Sequence, residues 1–118
     1  MPAEIIDGVA IARRLRERVA GEAAALAARG VKPGLTVVLV GDDPASAVYV
    51  RAKKKASLEA GIEGITIELP AATSEQELLD RIDELNADDT VHGILVQMPL
   101  PKQIAADTVI RRIRPEKD

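Results

Sequence analysis

An apolar run that stops abruptly at a glycine and an acidic turn constrains the fold of this chain most. Residues 35–40 are rich in β-branched side chains and bounded by Gly34 and Gly41, which predicts a buried strand too short to be an isolated helix. Asp43 can cap the helix that follows, and Pro44 suits its first position. Because open α/β folds build sites beside the carboxyl ends of their strands, this helix is the first place to look for function.

The predicted helix carries a hydroxyl, a phenol and an amine on one face. Ser46, Tyr49 and Lys53 are spaced three and four residues apart, which places them on one helical face. The pattern Y-x-x-x-K is weak evidence by itself. Lys53 is also one of three consecutive lysines, so it could belong to a solvated face on which Tyr49 is only a half-buried packing residue.

Periodicity and capping signals predict the remaining elements. They indicate a short extended segment at 4–6, a strand at 65–69 and a strand within 91–98. They also indicate helices at 9–29, 44–60 and 104–113 and a helix that starts at Ser74. Gly30 is expected to end the first of these helices, and an S-x-x-E capping box begins the one at Ser74. Alternating strands and helices predict an α/β fold, a three-layer, mostly parallel sheet with helices on both faces. Strands 35–40 and 94–97 are expected as central parallel neighbours, with 65–69 at the edge.

Composition excludes several classes of function. The chain of 118 residues has a net charge of −3, no Phe, Trp or Cys, and a single Tyr. It therefore lacks the basic surface and the stacking aromatics of a nucleic-acid binder, and it has no thiolate for a metal site or nucleophile. We expect one cytoplasmic domain with no metal, no nucleic-acid partner and no membrane association. The absence of a G-x-G-x-x-G turn argues against a dinucleotide site.

Three further polar positions have both a structural and a functional interpretation. Gln97 ends a buried strand and either bonds a loop amide or contributes to a site. His92 is interpreted as a structural histidine, and the pair Asp42-Asp43 as a cap rather than a metal site. If strands 35–40 and 92–97 are neighbours, Gln97 and the loop 99–101 lie near the helix face that carries Lys53. An amine, an amide and a phenol in one crevice can transfer protons.

Two motifs in combination resemble a known family. VGDDPAS-x2-Y-x3-K and VHGILVQ-x-PLP, within a similarity running from Ile5 to Asp118, look like the amino-terminal domain of bifunctional methylenetetrahydrofolate dehydrogenase/methenyltetrahydrofolate cyclohydrolase. The resemblance implies a catalytic lysine at Lys53, a substrate-stacking tyrosine at Tyr49 and a glutamine partner of the lysine at Gln97. It also implies that two stretches contact the folate, one comprising Tyr49, Val50, Arg51, Ala52 and Lys53 and the other comprising Val96, Gln97, Met98 and Pro99.

The family's activity is the oxidation of a methylene bridge on tetrahydrofolate, followed by hydrolysis of the methenyl cation to the 10-formyl form. The resemblance implies NADP as hydride acceptor (NAD in some members), tetrahydrofolate derivatives as ligands and a homodimeric full enzyme. In the family the run P-E-K-D continues into V-D-G, whose Asp holds the pterin, and a Rossmann domain follows. Residues 1–118 are therefore expected to be an isolated amino-terminal folate-binding domain, with NADP bound by a domain that this chain lacks.

Two alternatives from other classes remain open at this point. A receiver-like phosphoacceptor domain has a similar length and an acidic pair after an apolar strand, although receivers carry the pair after their first strand and an acceptor Asp where Gln97 stands. An inert dimerisation or folding module is the other alternative.

Overall fold

The computed structural model describes residues 3–118. The helices are α1 (Gly8–Ala28), α2 (Pro44–Glu59), α3 (Glu75–Ala87) and α4 (Ala106–Arg112), and the strands are β1 (Gly34–Val40), β2 (Glu63–Leu69) and β3 (Gly93–Val96). A single 3-10 turn, Pro115–Lys117, follows α4. The order β-α-β-α-β-α after the first helix is that of two consecutive parallel crossovers.

The three strands form one parallel sheet in the order β2-β1-β3. Leu35 is in register with Gly64 on one side and with Gly93 on the other. The α/β class, the parallel pairing of β1 with β3 and the outer position of β2 are as predicted. Among the described residues β1 is the only central strand, because a sheet of three strands has one inner strand. The prediction that 94–97 would also be central is therefore wrong.

Side chains of β1 alternate between two separate cores, so helices cover both faces of the sheet. On one face Val37 and Leu39 pack with Val50 of α2. On the other face Val38 and Val40 join the larger cluster, to which α3, β3, α4 and the segments beside them contribute. Its other buried members are Leu78, Leu79, Ile82, Leu85, Val91, Ile94, Val96, Ile104, Val109 and Ile113. This alternation is the period of two expected of a strand, and it produces the predicted three layers.

Helix α1 forms as predicted but contributes little to either core. The amide N–H groups of Gly30 and Val31 donate to the carbonyls of Ala27 and Leu26, and Gly30 adopts φ +81°, which is a Schellman ending. Ala23 is the one buried residue of the helix. The apolar stripe that predicted the helix is covered only in part, since Ile11 and Leu15 stay about half exposed at 48% and 51%.

Several predicted bounds differ from the structure, among them the start of β2, which is Glu63 instead of residue 65. Residues 4–6 form no strand: Ile5 and Ile6 are 95% and 83% exposed, and no strand of the described chain lies beside them to supply a ladder. The last helix begins at residue 106 instead of 104. The N–H of Ile104 donates to Pro101 O in a turn, and the N–H of Ala105 donates to the Glu75 carboxylate, so neither group enters the helix.

Candidate functional site

The turn between β1 and α2 sets the direction of the helix that carries the candidate residues. Gly41 adopts φ +93°, a conformation that costs other residues free energy, and its N–H donates to Leu69 O at 2.8 Å. Asp43 then accepts the Ser46 N–H at 3.0 Å, and Pro44 is the first helical residue. The predicted role of Asp43 as a cap is confirmed, and α2 leaves the carboxyl end of β1 across the sheet face.

Lys53 and Gln97 are in direct contact although 44 positions separate them in the sequence. Lys53 Nζ donates to Gln97 Oε1 at 2.7 Å. The main chain of Gln97 is fixed as well, because its N–H donates to Val38 O at 2.9 Å and extends the β1–β3 ladder by one residue. Gln97 Nε2 donates to Met98 O at 3.2 Å. Both ends of the amide are thus engaged, which fixes Oε1 on the side of Lys53.

The other polar groups of α2 lie at different depths along the same helical face. Ser46 is buried, with Oγ 3.4 Å from Met98 O, so the first turn of α2 meets the loop after β3. Tyr49 lies one turn before Lys53 and is 61% exposed. The helix therefore offers an accessible ring and an accessible amine, while the hydroxyl contacts the loop inside.

Two residues of the predicted folate-contacting stretches are buried on opposite faces of the sheet. The Val50 side chain packs with Val37 and Leu39, and Val96 belongs to the core covered by α3 and α4. Because both side chains are buried, we expect a ligand at the Lys53–Gln97 pair to meet these two residues through their main-chain atoms.

The remaining residues of the two stretches differ in accessibility. Arg51 and Ala52 are exposed on α2, and Arg51 lines a hollow that opens toward β2 together with Thr66 and Glu68, away from Gln97. Met98 is half-buried and Pro99, joined to it by a cis peptide bond, is exposed. Of the stretch at 96–99, Gln97, Met98 and Pro99 thus remain available at the surface beside Lys53.

His92 has the structural role expected from the sequence. Its Nδ1 accepts the N–H of Gly34 at 2.9 Å, and its own N–H donates to Gly34 O at 2.9 Å. This reciprocal contact closes the amino end of the β1–β3 ladder, at the opposite edge from Lys53. His92 is therefore remote from the candidate site.

The sequence did not predict the hydrogen bonds that connect the loops at the carboxyl edge of the sheet. Gln103 Nε2 donates to Ala71 O at 2.7 Å and to Thr73 O at 2.9 Å. The N–H of Ala105 donates to Glu75 Oε1 at 2.8 Å. A polar residue in a loop leaves no periodic signal that could have predicted a partner thirty residues away.

The groups whose pKa values are clearly shifted lie on α3, on α4 and in the turn after α3, away from the candidate site. Hydrogen bonds from the Arg112 guanidinium lower the pKa of Asp83, and the same pair raises the pKa of Arg112. The hydroxyl and the N–H of Thr90 lower the pKa of Asp88. Both carboxyl groups are solvent-exposed, so these interactions shape local geometry more than global stability.

The helix starts at the carboxyl ends of the strands do not suit a dinucleotide phosphate. The first turns of α2, α3 and α4 are each met by a carboxylate, from Asp43, Glu75 and Asp107 respectively. A phosphate needs free N–H groups and a glycine-lined approach at such a place, and Asp43 already occupies the Ser46 N–H. The described residues therefore do not fit NADP. Within residues 3–118 no three His, Cys, Asp or Glu side chains gather to hold a metal ion, and no helix is long and apolar enough to span a bilayer.

Known proteins match the chain over its whole length. The family model described as the catalytic domain of tetrahydrofolate dehydrogenase/cyclohydrolase matches residues 6–118. The bifunctional protein FolD of Bordetella avium is 58% identical and that of Halalkalibacterium halodurans is 55% identical, each over 118 residues that make up 42% of the relative. The chain thus spans about two-fifths of the length of the curated relatives it matches.

Solved structures agree with the sequence comparisons. The bifunctional methylenetetrahydrofolate dehydrogenase/cyclohydrolase FolD of Campylobacter jejuni superposes with a TM-score of 0.93 at 42% identity, covering 95% of this chain and 40% of that one. The Trypanosoma brucei enzyme, solved with NADP cofactor and an inhibitor, gives a TM-score of 0.88 at 37% identity, covering all of this chain and 41% of that one. By its sequence and its fold, this chain belongs to the tetrahydrofolate dehydrogenase/cyclohydrolase family.

Proposed function

We propose that this chain is the folate-binding, catalytic part of an enzyme of one-carbon metabolism. The complete enzyme would oxidise 5,10-methylenetetrahydrofolate to the methenyl form and hydrolyse that product to 10-formyltetrahydrofolate. The contact between Lys53 Nζ and Gln97 Oε1 at 2.7 Å is the observation that carries the proposal. It joins the two motifs that define the family resemblance at the carboxyl edge of the sheet, where α/β folds place their ligands.

Hydrolysis is the step for which this chain supplies groups of its own. A water oxygen adds to the methenyl carbon, and the adduct releases one of the two water protons to solvent. The bond from that carbon to N5 then breaks as the carbonyl forms, and the remaining hydroxyl proton is transferred to N5 to give the 10-formyl product. The net reaction consumes one water and releases one proton. Lys53 would accept and return the proton, and Gln97 would hold the amine in place through Oε1. A base must lie within hydrogen-bond reach of the proton it moves, and the exposure of Lys53 leaves room for water and ligand.

Tyr49 would provide the surface against which the folate lies. Its ring is exposed one helical turn from Lys53, and an aromatic ring favours offset stacking on another ring. Met98 and Pro99 would border the ligand from the loop after β3, and Arg51 and Ala52 from α2. Val50 and Val96 would contribute main-chain atoms, since their side chains are buried.

Hydride transfer needs an acceptor that these residues do not fit. NADP would supply oxidation by accepting the hydride, and it would be bound by a Rossmann domain outside the described residues. The complete enzyme would be a cytoplasmic homodimer acting on tetrahydrofolate derivatives. The receiver-like alternative has no acceptor carboxylate at the end of β3, because Gln97 occupies that position and is bonded to Lys53.

The decay of methenyltetrahydrofolate absorbance tests the proposed chemistry. We expect the wild-type chain to accelerate the decay weakly over buffer, and Lys53→Met to abolish the acceleration, because general acid–base groups contribute roughly 10²–10⁴-fold. Lys55→Met is the matched control, since a lysine two positions further along α2 faces away from Lys53. Equal acceleration by wild type and Lys53→Met would show that Lys53 is not the catalytic group.

Binding is measured separately by titration calorimetry with 5-formyltetrahydrofolate. A chain that neither binds this ligand nor accelerates the decay would contradict the proposal for these 118 residues. Binding without hydrolysis would support the folate site and assign the missing activity to parts of the enzyme outside this chain.

A further inference from the structure

The loop after β3 is clasped to the loop after β2 by one side-chain amide. We call residues 97–105 the β3–α4 loop and residues 70–74 the β2–α3 loop. Both hydrogens of Gln103 Nε2 are directed at main-chain carbonyls of the β2–α3 loop, at 2.7 Å to Ala71 O and 2.9 Å to Thr73 O. The acceptor loop is rigid in turn, because Thr73 is buried and its N–H and hydroxyl both donate to Pro70 O.

Gln103, whose two hydrogen bonds to the β2–α3 loop we call the clasp, does not fill the core. Gln103 is exposed, whereas its neighbour Ile104 is buried and Leu100 packs against the core. Anchoring of the loop to the hydrophobic core is thus assigned to these two apolar residues. What Gln103 adds is a lateral tie, two hydrogen bonds that fix the path of the main chain between Gln97 and Ile104.

That path determines the orientation of the Gln97 amide. Met98 O accepts from Gln97 Nε2 at 3.2 Å, and this bond directs Oε1 toward Lys53. If the loop moves, Met98 O moves with it, and the amide loses the contact that fixes its orientation. The exposed surface of Met98 and Pro99, which the proposed function places beside the folate, moves as well.

We propose that Gln103 is a positioning residue of the folate site, acting through the β3–α4 loop on Met98 and Gln97. This inference rests on the proposed function for its ligand but on the hydrogen bonds alone for its structural part. Gln103 touches no reacting atom in this scheme. It sets how well the site is preformed, and preformed sites bind more tightly because less ordering remains to be done on binding.

Four variants separate positioning from general stability. Gln103→Ala removes the clasp, and Gln103→Glu keeps the shape but turns acceptor oxygens toward two carbonyls. Gln103→Lys restores a donor of similar reach. Gln76→Ala is the matched control, because Gln76 is also exposed and its Nε2 also makes a hydrogen bond, to Asp80 at 2.8 Å on the outer face of α3.

Three measurements are made on each variant of the chain. The side-chain amide resonances of Gln97 and the methyl resonance of Met98 are followed by NMR without ligand. The affinity for 5-formyltetrahydrofolate is measured by calorimetry, and the unfolding temperature is recorded alongside.

We expect Gln103→Ala to displace the Gln97 and Met98 resonances and to weaken binding about 3- to 10-fold, as for the loss of about one net hydrogen bond. Gln103→Glu should weaken it further, and Gln103→Lys should return toward wild type. Gln76→Ala should change neither the Gln97 and Met98 resonances nor the affinity.

Unchanged Gln97 and Met98 resonances in Gln103→Ala would overturn the proposal, as would wild-type affinity in that variant. If the wild-type chain neither binds 5-formyltetrahydrofolate nor accelerates the decay of methenyltetrahydrofolate, the proposed function fails for this chain. The resonances then still decide whether Gln103 positions Gln97, so the two failures are distinguishable.

Discussion

Replacing Gly34 with alanine should destabilise the fold at the point where β1 and β3 first meet. Gly34 is the buried first residue of β1, and its N–H and C=O are both bonded to His92. A Cβ built on Gly34 would lie 2.5 Å from Thr90 O, about 0.9 Å short of the 3.4 Å at which ordinary contact begins. The obstructing atom belongs to the main chain, so no rotamer change can relieve the contact.

The magnitude follows from what must move. The segment before β3 has to withdraw from β1, which also lengthens the two His92–Gly34 hydrogen bonds. Overpacking costs roughly 1–3 kcal/mol and a net hydrogen bond about 1 kcal/mol, so we expect a loss of about 3 kcal/mol. For a chain of this length the unfolding temperature should fall by roughly 4 °C per kcal/mol, or about 12 °C.

Circular dichroism at 222 nm during thermal and urea unfolding provides the measurement. Gly21→Ala is the control, because Gly21 lies inside α1 and a Cβ there meets nothing within 4 Å. That variant should gain roughly 0.5–1 kcal/mol from helix propensity. A Gly34→Ala protein within about 0.5 kcal/mol of wild type, the range of neutral surface changes, would refute the reasoning.

A double-mutant cycle checks the assumed coupling. His92→Ala alone should cost about 1 kcal/mol, the net value of a hydrogen bond. In the Gly34→Ala background the same change should cost less, since the displaced strand has already weakened that bond. Strict additivity would show that the strand does not shift.

Three further predictions concern α3 and its contacts with α4. Because its bonds to Arg112 lower the pKa of Asp83, this pair stabilises the fold above pH about 3.9 and loses its effect as the pH falls through the lower folded-state pKa. Asp83→Asn should therefore unfold more readily than wild type at pH 7, and the difference should shrink as the pH falls below the range in which Asp83 is ionised in the folded protein. A gap independent of pH would contradict this. Ser74→Ala removes the cap on the Glu77 N–H and should cost about 1 kcal/mol in urea unfolding, whereas a neutral result would show that another group serves that N–H. Asn86→Ala leaves Arg112 O and the Arg114 N–H without their partner and should cost about 2 kcal/mol by the same measurement, with wild-type stability as the contrary outcome.

Local sequence signals correctly predicted the helix ends and the edge strand. Asp43 and Pro44 mark the start of α2, Ser74 caps α3 and Gly30 ends α1, because each of these residues acts on main-chain groups within a few positions. The period-two pattern of ITIEL placed β2 at the edge for the same reason, since burial of alternate residues is visible in the sequence.

Long-range polar contacts could not be predicted in this way. Gln103 reaches across to Ala71, and Asn86 holds the main chain on both sides of Ile113, without any periodic spacing that indicates these partners. The contact between Lys53 and Gln97 was expected from the adjacency of their two strands and from the family resemblance, not from any local pattern. Residues 4–6 show the opposite error, because an apolar composition predicts extended structure only where a neighbouring strand is present to pair with it.

The position of Tyr49 has a spectroscopic consequence. It is the only aromatic residue among Phe, Tyr and Trp in the chain, and it lies exposed one turn from Lys53. All intrinsic near-ultraviolet absorption and fluorescence of the protein therefore arises at the candidate site. Tyrosine emission reports the occupancy of that site without a label and without background from the rest of the molecule.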